Sequence, residues 1–384
     1  MKKLVKALII SILIGLVIQL GAYGDVSDKI EVKEVKTALT LNNGQKWRIG
    51  YCESQPYFEF AGILHGLVNG LENMGWLENT SELPFIPFQE DTSSMWQWLS
   101  SNDLGPYIEF VEDAHYDLSV DSGDEIIKRL QEDNDIDLMI VNGTLAGLTL
   151  ANDKHSIPSL VFGTSNAVKS GIIKSEDDSG INHIWAHVDP GIFIRQVEVF
   201  YDIFHFKKLG ILYINDSFRK AFAAVDDVES VALDKGFELI HHHKVYNPDD
   251  LEGYLRDVLE AHKKLSQEVD AMYVTNGAWQ ISRVYELLEP FYEKKIPVFS
   301  QVGSGEVKHG ALMSLARANF SGIGSFGAQT IAAVFNGTPP RNLKQHYEDA
   351  PSIAINLEVA KAIDYKPPFE ILLVADEIYL EIER

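Results

Sequence analysis

The chain has 384 residues, a formal charge of −23 at neutral pH and a single cysteine. One thiol excludes an internal disulfide, so a buried core must hold the fold. The acidity argues against nucleic acid or an anionic membrane as partner. Beyond solubility, it says nothing about what the chain binds.

At the start of the chain, Lys2, Lys3 and Lys6 precede a run from Ala7 to Gly21 with no charged side chain, and Ala22, Tyr23 and Gly24 follow. A basic head, an apolar body and small residues before the cut describe a secretory signal (residues 1–24), with cleavage before Asp25. The run is 15 residues long, whereas a spanning helix needs about 20. A cleaved signal is therefore expected, with no stable membrane insertion afterwards and a periplasmic destination. Cys52 lies too far downstream to carry a lipid anchor. Cleavage leaves 360 residues carrying −26, which is too long for one ordinary core and favours two domains.

Residues 25–46 are polar and read as a linker or loosely attached segment. From Trp47 onward, short β-branched runs alternate with helical patterns, the signature of βαβ units around parallel sheets. Trp47–Cys52 is the first strand. Tyr57–Met74 places Phe60, Ile63, Leu64, Leu67 and Leu71 on one helical face and ends near Gly75. Residues 76–106 hold Trp76, Phe85, Phe88, Trp96 and Trp98 among turn formers, and are too long for an ordinary connection, so a structured insertion is expected. Strands at 107–111, 137–141 and 158–162 then alternate with helices at 124–132 and 145–152.

A second series follows, with helices at 191–204, 218–235, 249–265 and 279–293 and strands at 208–214, 237–245, 270–275 and 297–301. The remainder, an apolar run at 311–316, a helix at 326–336, a strand at 352–356 and a short helix at 357–363, is too small for a third domain. It is expected to complete the two sheets already begun. The predicted fold is α/β, two Rossmann-like lobes with parallel sheets joined by a hinge that the chain crosses more than once. The expected division is 47–186 with 309–343 in the N-terminal lobe, and 187–308 with 344–384 in the C-terminal lobe.

Ligands of parallel α/β sheets sit beyond the carboxyl ends of the strands, where helix N-termini point backbone N–H groups outward. Those turns hold Glu53, Ser54 and Tyr57, then Asn142, Gly143 and Thr144, then Thr164, Ser165 and Asn166. In the second series they hold Asn215, Asp216 and Ser217, then Thr275, Asn276 and Trp279, then Ser304. Each Ser, Thr, Asn or Asp there is also a good helix cap whether or not anything binds. Taken together, they line a cleft of uncharged hydrogen-bonding groups, for which Tyr57 and Trp279 are candidate flat walls or core residues.

Other patterns carry less. Gly322, Gly324 and Gly327 imitate a dinucleotide fingerprint with Glu348 downstream, but no strand leads into the first glycine, and close helix packing is the simpler reading. Ser217 and Lys220 form S-x-x-K, with Lys169–Gly171 in the wrong order for a penicillin-binding enzyme. His241, His242 and His243 alternate across a strand and do not converge on a metal. No H-E-x-x-H, G-x-S-x-G or P-loop pattern is present, so no catalytic residue, metal or cofactor is expected.

Several stretches carry a resemblance that extends over nearly the whole exported part: Asp137–Ala146 (DLMIVNGTLA), Ile157–Phe162 (IPSLVF), Lys208–Asn215 (KLGILYIN) and Asp270–Asn276 (DAMYVTN). Gly310–Gly337, Pro351–Ala362 and Ala375–Glu377 continue it in order. The sequence resembles the substrate-binding proteins of an ABC importer family with a type I periplasmic-binding fold, a group that includes tryptophan- and other aromatic-amino-acid-binding members. The resemblance implies a ligand carboxylate on the Gly143 and Thr144 helix start. It also implies polar contacts from Thr164, Ser165, Asn215, Ser217, Thr275 and Asn276, and a membrane permease as partner. A sensory protein presenting solute to a receptor or kinase is the alternative. Asn166 and Ala167 replace the family's common Asp-Pro, and no Asp stands beside Asn276, which leaves Glu53 or Asp216 to meet a ligand ammonium. Shorter members have no counterpart of the 76–106 insertion.

Overall fold

The computed structural model describes residues 36–215, 217–244, 249–275, 281–316, 320–348 and 352–384, and the fold below is the compact unit Thr37–Arg384. Its first half runs β1 (Trp47–Glu53), α1 (Phe58–Asn73), α2 (Ser93–Ser101), β2 (Ile108–Asp117), α3 (Gly123–Glu132), β3 (Leu138–Asn142), α4 (Thr144–Leu150), β4 (Ser159–Phe162) and β5 (Ile184–Ala186). Then come α5 (Ile192–Phe204), β6 (Lys208–Ile214), α6 (Ser217–Phe222), α7 (Val225–Lys235), β7 (Glu238–Lys244), α8 (Leu251–Leu265), β8 (Ala271–Val274), α9 (Val284–Glu293), β9 (Val298–Ser300) and α10 (Ser304–Lys308). The chain closes with β10 (Met313–Ala316), α11 (Ser321–Phe335), β11 (Ser352–Asn356), α12 (Leu357–Ala362), α13 (Phe369–Val374) and β12 (Ala375–Tyr379).

Two sheets result, one ordered β2-β1-β3-β4-β5 and the other β12-β11-β10-β9-β8-β6-β7. The first is parallel throughout. Registers Tyr51↔Ile140, Glu53↔Asn142 and Asn142↔Phe162 put these side chains on one face, because partners in a parallel ladder point the same way and alternate along the strand. That face, with Ile49, Ile140, Leu160 and Phe162, is covered by α1, α2 and α11. Cys52, Met139, Val141 and Val161 face α3 and α4 on the other side. In the second sheet β11 runs antiparallel to β10 and parallel to β12, an exception to the expected all-parallel arrangement at its edge.

In α1 the predicted face (Phe60, Ile63, Leu64, Leu67, Leu71) is buried, and Gly75, at φ +79°, turns the chain out of the helix. A second face of the same helix is glycine. A Cβ on Gly66 would lie 2.4 Å from the Phe320 carbonyl oxygen, and one on Gly324 would lie 2.2 Å from Gly66 C. The Gly322–Gly327 pattern thus serves backbone-close packing of α11 on α1, with Gly327 against Leu67 and Phe162.

The 76–106 stretch carries regular structure. Its helix α2 buries Met95, Trp96 and Leu99, and Trp96 Nε1 donates to the Val111 carbonyl at 3.0 Å. Other expectations need correction. The single helix 218–235 is two, broken where Ala224 takes a left-handed φ of 50°. β10 pairs with β9 and β11, so the part of 309–343 that contains it belongs to the second sheet, and only α11 onward returns to the first lobe. The 25–46 linker is tied down from Ala38: Asn336 Nδ2 donates to the Ala38 carbonyl at 2.9 Å and Trp47 Nε1 to that of Thr40 at 2.9 Å. Residues 1–24 and the start of that linker lie outside the described residues.

The chain passes between the sheets after β5, between β10 and α11, and again before β11. The first and third passages run side by side, joined by the Val188↔His346 bridge and by Val188 N–H on the Gln345 carbonyl at 3.0 Å. No helix among the described residues is long and apolar enough to cross a membrane.

Candidate functional site

Two contacts show that the carboxyl ends of both sheets face each other. Lys169, in the turn after β4, reaches Asp227 at 3.2 Å and Asp226 at 3.7 Å, both in the first turn of α7 beyond β6. On the other flank, the ring of Phe88 lies beside Gly305 of α10, just beyond β9. Between these flanks lie the turns singled out in the sequence.

In the first lobe those turns divide into a floor and a rim. Glu53 and Asn142 form the floor: Glu53 is 1 % and Asn142 0 % exposed. Tyr51 donates its hydroxyl to Glu53 Oε2 at 2.7 Å and accepts from Asn142 Nδ2 at 3.2 Å. Thr92 of the insertion donates to the same Oε2 at 3.0 Å and lies 2.8 Å from His115 Nε2. Burial pushes the Glu53 carboxyl up to about 7, helped by Asp117 and Asp91 and opposed by the Tyr51 and Thr92 hydroxyls. Burial also moves His115 down, against the opposing pull of Asp91, Asp117 and Asp121.

Ser54 stands at the junction. Its hydroxyl takes the Ala146 N–H of α4 at 3.0 Å, so the expected carboxylate seat at Gly143 and Thr144 is partly filled by the protein's own oxygen. Gly143 is required there: φ is +92°, and a Cβ would meet Ser54 Oγ at 2.5 Å and Phe60 Cζ at 2.6 Å. Thr144 is buried. Thr164, Ser165 and Asn166 are half-buried at the rim. Asn166 Oδ1 accepts the Lys169 N–H at 2.8 Å, the capping role open to any Asn in such a turn. Thr164 Oγ1 is shielded from solvent and bonds to no described residue. Tyr57 forms an aromatic wall with Phe58 and Phe60, ring centroids 4.7 and 5.3 Å away.

In the second lobe Asn215 is exposed at the end of β6. Thr275 is buried, and its hydroxyl donates to the Leu212 carbonyl at 2.7 Å. Ser304 is buried at the start of α10. Behind them Tyr273 donates to Gln196 Oε1 at 2.6 Å, and Gln196 Nε2 to the Gln301 carbonyl at 3.1 Å. Asp216, Asn276 and Trp279 lie outside the described residues, as does the side chain of Ser217. The structure therefore brings Ser54, Tyr57, Thr164, Ser165 and Asn215 to the cleft surface, and places Glu53, Asn142, Thr144, Thr275 and Ser304 beneath it.

Sequence reasoning missed Phe88, Thr92, His115, Lys169 and the Asp226–Asp227 pair. The aromatic insertion was visible, but nothing in it showed which residue reaches across. His241 and His243 share the Tyr213 face of β7, with His242 turned to Glu268 at 3.5 Å. No group of three metal-ligating side chains occurs among the described residues. Two shallow depressions of about 540 and 520 Å³ lie elsewhere, along Asp177–Asp178 with Arg341–Gln345, and around His155, Pro158, His183 and Pro340. The second borders the amino ends of β4 and β5, away from the turns where helix N-termini offer N–H groups. The Arg341 guanidinium between the two is already paired with Asp178 at 2.6 Å.

Residues 112–379 match the family described as ABC transporter substrate binding protein. The chain belongs to that family. No curated protein matches it significantly. Solved structures of similar fold include a substrate-binding protein with adhesive properties from Clostridium difficile in a ligand-free, open form, at 18 % identity over 88 % of this chain and 100 % of that one, TM-score 0.65. An ABC domain from Streptococcus pneumoniae in complex with L-Trp shares 16 % over 87 % of this chain and 100 % of its own, TM-score 0.63. A conserved domain protein from Vibrio cholerae shares 17 % over the same 87 % and 100 %, TM-score 0.61. At such identities the likeness carries the fold alone, which is that of the type I periplasmic-binding proteins. In this chain the strand-end turns of the two lobes face each other.

Proposed function

We propose that this substrate-binding protein captures a small polar or aromatic solute, amino acids among them, between its lobes and delivers it to the permease of an ABC importer, without chemistry on the solute. The facing of the two sets of strand-end turns carries the reading. Supporting it are the uncharged groups of Ser54, Ser165 and Asn215 beside the Tyr57–Phe58 wall, a combination of few polar groups and flat apolar surface suited to small metabolites. The L-Trp complex of the pneumococcal neighbour is consistent with that class.

A solute touching both lobes favours the state in which both can touch it, so binding drives closure. The basic, apolar and small-residue order of 1–24 supports export by a cleaved signal, which puts the mature chain where a permease can meet it. A thermal-shift panel of amino acids, purines, sugars and vitamins tests the reading. At least one class raises Tm in a saturable way; a flat response across every class would overturn it.

A further inference from the structure

Within five residues, Phe88 to Thr92, the insertion between α1 and β2 reaches both the floor of the first lobe and the surface of the second. Thr92 is fully buried and joins Glu53 and His115 through its hydroxyl. Phe85 stacks on His65 of α1, centroids 4.1 Å apart. These two points pin the segment to the first lobe. Between them Phe88 takes a φ of +68°, a left-handed conformation that a bulky residue adopts only when its surroundings impose it. Its ring lies 6.0 Å from that of Phe58 and 5.8 Å from Lys308 Nζ. A Cβ on Gly305 would sit 3.7 Å from Phe88 Cδ1, ordinary van der Waals distance. Phe88 is therefore a first-lobe side chain resting on α10 of the second.

Lys169 with Asp226 and Asp227 makes the matching contact on the opposite flank. Contacts that exist only when the lobes are near each other favour that state whether or not a solute is present. Half-exposed ring and cation contacts are individually weak, so they bias the lobes rather than lock them. We propose that residues 85–92 are a strap that biases the lobes toward each other before solute arrives, with Phe88 as its contact on the second lobe and Thr92 as its anchor in the first. The strap shares only lobe closure with the proposed function and requires no knowledge of the solute.

Small-angle X-ray scattering and amide exchange on the solute-free full chain test it. Phe88→Ala increases the radius of gyration and speeds exchange about threefold at 304–308 and, on the far flank, at 225–228, as loss of a contact of this kind implies. Thr92→Val shifts both in the same direction with the aromatic tip intact, and Phe88→Ala with Lys169→Ala exceeds either alone. An unchanged radius with faster exchange confined to 304–308 would overturn the strap and leave Phe88 a local contact. Solute binding by a chain whose radius ignores Phe88 removes the strap and keeps the transport reading. A radius that responds in a chain that binds no solute does the reverse.

Discussion

Each lobe buries a tyrosine in a strand near the cleft, and the two are given different partners. Tyr51 of β1 donates to the carboxyl of Glu53 at 2.7 Å, whereas Tyr273 of β8 donates to the amide oxygen of Gln196 at 2.6 Å. Both rings are fully buried. An amide is neutral at every pH, so the second network is held by hydrogen bonds alone. A buried carboxyl is expensive to ionise, so the first network responds to protons. The first is also wired to the insertion through Thr92 and to β2 through His115, the second to α5 and the turn after β9 through Gln196 and Gln301. In both lobes a buried network positions a cleft-side turn, but only the first couples it to a segment that crosses to the other lobe.

The most drastic way to separate the lobes energetically is Gly324→Ala, since its methyl would enter the α1 backbone. Unfolding in urea is expected to lose about 3 kcal/mol, with the first lobe failing before the second. Glu53→Gln is next. The folded carboxyl sits near 7 against an ordinary 4.5, so between those values the folded state holds a proton that the unfolded state has released. Wild-type stability therefore falls as pH rises through that window, by about 3 kcal/mol. The Gln variant lacks this contribution, and urea midpoints from pH 4.5 to 8 should show the difference between the two proteins growing with pH.

The tyrosines sharpen the comparison further. Tyr273→Phe leaves Gln196 Oε1 without its donor and costs about 1 kcal/mol at both pH 5 and pH 8. Tyr51→Phe costs about 2 kcal/mol at pH 8 and less at pH 5, because the lost donor served the charged carboxylate. Equal costs at the two pH values for Tyr51→Phe would refute the assignment of the first network as proton-responsive. The smallest effect is Lys169→Ala, whose partly exposed ion pair is worth about 0.5 kcal/mol. Its consequence is expected in the spacing of the lobes rather than in Tm.

Much of this was legible in the sequence wherever a local pattern decides structure. The period of α1, the β-branched strands and the Ser-, Thr- and Asn-rich turns placed the cleft ends of both sheets. Where tertiary contacts decide, local pattern was silent. No glycine or proline marks the break before α7, since Ala224 is held left-handed by its surroundings. β10 reads as an apolar run that either sheet could take, and only its pairing with β9 and β11 assigns it. Glu53 and Asn142 sit at strand ends as the sequence shows. Strand alternation puts them on the same face as Tyr51, and an insertion whose path no periodicity reveals covers that face. The expected seat of a ligand carboxylate at Gly143 is altered by Ser54, whose distance from Ala146 only the folded chain sets.

Capture of a solute between the lobes is tested most directly by native mass spectrometry of the freshly purified chain, with small-angle scattering before and after the occupant is removed. A small-molecule adduct that leaves on denaturation, with a larger radius of gyration once it has gone, is the expected result. A chain that carries no adduct, gains none from the solute panel and keeps one radius throughout would contradict the account.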